Sequence, residues 1–122
     1  MNNEHQNNAA LCAAYRALRP QAEVWKVNDR VARSRPDIEI CDYGQTWYLE
    51  GKQEKEVPTP GQAHMLLRLR VASRNRACVV TYLRDGRVLI AYDAETGPAV
   101  HTATSINDAA LTIEFLIASR AS

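Results

Sequence analysis

Asp37 follows a proline at the head of an alternating stretch, PDIEICDYGQTWYLEGK, and Glu50 and Lys52 close it. If the stretch folds back at Tyr43-Gly44, Asp37 lies opposite Glu50, Ile38 opposite Leu49 and Ile40 opposite Trp47. That register buries the apolar side chains on one face and gathers the two acids with Lys52 on the other. Facing carboxylates repel unless a cation sits between them, and a small set of hard oxygen ligands suits Mg2+ or Mn2+. Such an ion acidifies a water for attack on phosphorus, and a nearby ammonium orients or helps deprotonate that water. The expected chemistry is metal-dependent phosphodiester hydrolysis. Taken alone, the same residues also fit a solvated, charged hairpin face.

The elements that must position these groups can be read on either side. Residues 1 to 8 are polar and expected to be flexible. Ala9 to Leu18 is rich in alanine and leucine and stops before Pro20, which predicts a first helix. Ala22 to Asn28 alternates with Val24 inward, joined by Trp25 or Val27, a short strand followed by a basic connector, Asp29 to Arg35. After the hairpin strands, KQEKEVPTP reads as a loop, and Pro60 opens a helix to about Ser73, with Thr59 as N-cap and Gln62 three residues later. Ala77 to Leu83 is a strand, Asp85-Gly86 a turn, and Arg87 to Tyr92 its partner. A Gly97-Pro98 loop leads to a terminal helix with Ser105 and Asp108 at its start and Ile106, Ala110, Ile113, Leu116 and Ile117 along one face. The order implies an α/β sandwich around one mixed sheet.

Length, composition and charge set the frame. With 122 residues, 46% apolar and 24% charged, the chain is expected to fold as one domain spanning residues 1 to 122. No apolar run approaches the roughly 20 residues of a membrane span, and the start MNNEHQNNAA lacks the order of a signal peptide, so a cytoplasmic location is expected. Cys12, Cys41 and Cys78 are too few and too widely spaced for a disulfide framework or a zinc site. The net charge of +1 conceals two basic stretches. Residues 16 to 35 hold Arg16, Arg19, Lys26, Arg30, Arg33 and Arg35, and residues 68 to 76 hold Arg68, Arg70, Arg74 and Arg76. Beside a phosphodiester-cleaving centre, Arg33, Arg35, Lys55, Arg68, Arg70, Arg74 and Arg76 are the candidate nucleic-acid contacts. His5, His64 and His101 lack ligand spacing and are expected at the surface, and Trp47 is expected in the core.

With Pro36-Asp37 at a strand start and Glu50-Gly51-Lys52 closing the next strand, the chain resembles the PD-(D/E)xK nuclease superfamily. Among its branches it is most similar to VRR-NUC and Holliday-junction resolvase-like domains. The resemblance implies a restriction-endonuclease-like αβββαβ core with a mixed central sheet flanked by helices, here followed by an extra strand and a C-terminal helix. It also implies that Asp37, Glu50 and the Gly51 carbonyl hold the metal, that Lys52 contacts the nucleophile and phosphate, and that Gln62 assists. A capping role accounts for Gln62 equally well. Three positions depart from the family pattern. Arg35 stands where a glycine often precedes the PD, the VRR-NUC string is absent, and the first helix as read here lacks the acid that many members carry, Glu4 being the only acid before Glu23.

The activity implied is a Mg2+- or Mn2+-dependent DNA endonuclease, acting on branched or flapped DNA as the resolvase-like branches do. Homodimers are common among small nucleases, although no self-complementary patch is legible here. The alternative is a catalytically silent module of the same fold that binds DNA or a host protein, as a phage or mobile-element product in a host cytoplasm would.

Overall fold

The computed structural model describes residues 3–26, 36–55, 60–61, 76–94 and 96–121. Helix α1 (Glu4–Leu18) leads into strand β1 (Glu23–Lys26), β2 (Ile38–Asp42) and β3 (Gln45–Gln53). Strands β4 (Ala77–Tyr82), β5 (Val88–Ala94) and β6 (Gly97–Ala103) follow, and helix α2 (Ile106–Ser119) comes last. The six described strands form one sheet in sequence order, antiparallel at every pairing among them except the parallel β3–β4 contact. The protein is thus a mixed α/β fold. None of its described helices is long and apolar enough to cross a membrane.

Strand alternation assigns the faces. Val24, Ile38, Ile40, Trp47, Leu49, Cys78, Val80, Tyr82, Val88, Ile90 and Ala103 point to one side and form a single core. Leu11, Cys12 and Tyr15 of α1 and Ala109, Ala110, Ile113, Leu116 and Ile117 of α2 complete that core, so both described helices cover the same face. The β2–β3 hairpin has the expected register, Ile38 with Leu49 and Ile40 with Trp47. Its turn puts Tyr43 at φ 52 and Gly44 at φ 71, the left-handed pair that matches the twist of a two-residue hairpin. Trp47 and Gln45 are buried, with the Trp47 indole donating to Gln45 Oε1 at 2.9 Å. Ser105 caps α2, its Oγ accepting from the Asp108 amide at 3.0 Å.

Three expectations need correction. The first helix starts at Glu4 rather than Ala9: Asn3 and Gln6 close a reciprocal capping box, 2.8 and 3.0 Å, so residues 4 to 8 are helical. The Gly97-Pro98 segment is not a loop but the start of β6, whose pairing runs from Ala94–Gly97 to Val88–Ala103. Pro98 is tolerated because β6 is an edge strand. Trp25 points outward, 52% exposed, because the parity that buries Val24 turns its neighbour away. Pro60 and Gly61 are helical as expected, whereas Val27, Asn28, the connector Asp29 to Arg35, Thr59, and the helix from Gln62 onward, His64 included, lie outside the described residues.

Candidate metal centre

Asp37 stands one residue before β2 and Glu50 near the end of β3, so the hairpin register carries them to the same place. The Gly51 amide donates to Asp37 Oδ2 at 2.9 Å, tying the first acid to the strand that bears the second. Helix α1 brings a third acid. Glu4, in its first turn, offers a carboxylate oxygen within 4.8 Å of oxygens from both Asp37 and Glu50. Glu4 and Asp37 are half-buried and Glu50 is fully buried. Burial, followed by the hydrogen bond and charge of Asp37, pushes the Glu50 carboxyl up to about 9, and Lys52 opposes that shift. Lys52 is itself 6% exposed, with Nζ 4.0 Å from Glu50 Oε1.

The close fit of α1 depends on Gly51. Asn8 is one turn beyond Glu4 on the same helix face and is 3% exposed. A Cβ at position 51 would come within 2.2 Å of Asn8 Oδ1, so only glycine leaves the buried Asn8 amide in this position against β3. The same Oδ1 accepts from the Tyr82 hydroxyl at 2.7 Å, which links α1 to β4. At the other end of the helix, Arg19 makes two hydrogen bonds to Asp42, 3.0 and 3.1 Å, and Tyr15 donates a third at 2.8 Å. Burial works against Asp42's charge, but Arg19 and Tyr15 hold its carboxyl below the usual range. Arg19 therefore fastens α1 to the hairpin instead of belonging to an open basic patch.

Of the expected site residues, Asp37, Glu50, Gly51 and Lys52 come together. Glu4 joins them from the turn of α1 that precedes the expected helix, Ala9 to Leu18. The signal that would have found it is Asn3 with Gln6, a capping pair that brackets the acid. Lys55 is exposed just past β3, and Arg76 is half-buried ahead of β4, its carbonyl accepting from the Tyr48 amide at 3.0 Å. Gln62, Arg33, Arg35, Arg68, Arg70 and Arg74 lie outside the described residues. His5 and His101 are exposed, and His5 Nε2 lies 2.7 Å from Lys26 Nζ.

Three converging carboxylates, one buried and two half-buried, form a hard oxygen donor set of the kind that could hold a divalent cation. No protein-family model matches the chain, and no curated protein matches it.

Proposed function

We propose that the protein is a Mg2+- or Mn2+-dependent DNA endonuclease of the PD-(D/E)xK type, with Glu4, Asp37 and Glu50 as its metal-binding acids. The observation that carries this reading is the arrival of Glu4, from a different element, within 4.8 Å of the hairpin acids. An exposed hairpin face would explain Asp37 and Glu50 but not a third carboxylate from α1. The order α1, β1, β2, β3, β4, with β3 and β4 parallel, supports the αβββαβ core as far as the described residues reach.

A divalent ion held there would supply a polarised water and charge neutralisation on the phosphate. The chain's own groups do the rest. Asp37 and Glu50 set the site on a rigid hairpin, and the Gly51 amide orients Asp37. In an extended strand the Gly51 carbonyl points to the same edge as its amide, the direction its proposed role as a ligand needs. Lys52, buried with Nζ 4.0 Å from Glu50 Oε1, would hold the attacking water and stabilise charge that develops on the phosphoryl oxygens.

Cleavage of linear, flapped and four-way DNA with Mg2+ or Mn2+, abolished by EDTA, is the expected result. Inactivity on all three substrates with both metals would overturn the nuclease reading in favour of the silent binding module.

A further inference from the structure

The chain has two tryptophans in opposite situations. Trp47 is fully buried, while Trp25 is 52% exposed on the edge strand β1. Pairing fixes where Trp25 lies relative to the acids. Trp25 is opposite Glu39, and Glu39 is opposite Tyr48, so the three side chains form one row across the sheet. Tyr48 and Glu50 are two residues apart on β3 and share a face. Trp25 is therefore on the side of the sheet that Glu50 takes, one row along the strand (about 7 Å) and two strands across (about 10 Å) from it, with Asp37 at the head of the strand between them. Both described helices lie on the other side of the sheet.

We infer that Trp25 is a stacking platform for an unpaired nucleobase next to the phosphate held at the acidic centre. The inference rests on the nuclease reading and specifies its substrate class: DNA with unpaired bases at or beside the cut. An exposed indole offers a flat face to any base, which gives affinity without sequence readout. In an intact duplex both faces of each base are covered by neighbours, so only single-stranded, flapped or frayed DNA can use it. A protein partner would also accept an exposed indole, but the placement one row from the acids favours the base.

Because Trp47 is buried, intrinsic fluorescence accessible to acrylamide reports on Trp25. With full-length protein in EDTA, a mixed-sequence single-stranded oligonucleotide is expected to quench that accessible component, and a blunt duplex of the same sequence is expected not to. Trp25→Ala should weaken single-strand binding roughly tenfold, and Trp25→Phe should restore most of it, in line with the energy of one base–aromatic stack. Single-strand affinity unchanged in Trp25→Ala, or equal quenching by duplex, would overturn the inference and leave the indole to a protein partner. The two readings fail separately. Metal-dependent cleavage with normal single-strand affinity in Trp25→Ala removes only the platform, whereas Trp25-dependent binding without cleavage removes only the nuclease.

Discussion

Lys52 and Glu4 are the residues whose substitution separates binding from chemistry at the proposed centre. Lys52 is nearly as buried as the acid beside it, which is costly for an ammonium unless a nearby charge compensates. Methionine fills a similar volume without charge or donors, so Lys52→Met should keep the fold. If Lys52 holds the water and the developing charge, turnover should fall by on the order of a hundredfold or more, with DNA affinity in EDTA nearly unchanged. Wild-type cleavage by Lys52→Met would remove that role. Glu4→Gln should act at an earlier step, because an amide is a poorer ligand than a carboxylate. Mn2+ affinity measured by calorimetry on metal-stripped protein should drop by about tenfold or more. Unchanged Mn2+ affinity would mean that Glu4 only approaches the centre.

At the scale of elements, α1 is held at both ends by polar contacts that its apolar stripe does not announce. Gly51→Ala would drive a Cβ against the Asn8 side chain and force it off its hydrogen bond with Tyr82, with a cost of about 1–3 kcal/mol in urea unfolding. Asn8→Ala in the same protein should recover part of that loss by vacating the space. Tyr82→Phe removes the donor to buried Asn8 and should cost about 1–3 kcal/mol. These contacts also mark where the sequence was legible and where it was not. The hairpin register followed from the turn at Tyr43-Gly44 together with parity, since any odd slip would turn Ile38, Ile40, Trp47 and Leu49 out of the core. The start of α1 was hidden because residues 4 to 8 carry no apolar periodicity, and the stretch is held by a cap and by the polar residue Asn8. Strand β6 was hidden because GPAVHTA opens with two turn residues and buries only Ala103. Asp37, Glu50 and Lys52 were legible because one hairpin carries them, while Glu4 depended on packing between elements far apart in the chain.

For the whole molecule, the acidic cluster links stability to pH through one buried group, and a metal bound there would enter the same linkage. Glu50 lies on β3, which pairs with a strand on each side, and its carboxyl is raised from an ordinary value of 4.5 to about 9 by burial and then by Asp37. Below 4.5 the group is protonated in both the folded and unfolded chain and contributes no pH dependence. Between 4.5 and about 9 the unfolded chain is ionised while metal-free folded protein retains the proton. At this group the folded state then binds more protons, so the contribution of Glu50 to stability falls as pH rises through that window. Asp42 works in the opposite sense at the acid end: its carboxyl is held low by Arg19 and Tyr15, so its contribution is lost as pH falls below the usual carboxylate range. The melting temperature of metal-stripped protein should therefore decline from mildly acidic to alkaline pH, and Glu50→Gln should flatten the decline. A bound divalent cation competes with that proton, so Mg2+ should raise the melting temperature more at the alkaline end than at the acid end. A wild-type profile that matched Glu50→Gln across the window, with a metal effect independent of pH, would show that Glu50 does not couple proton and cation at this site.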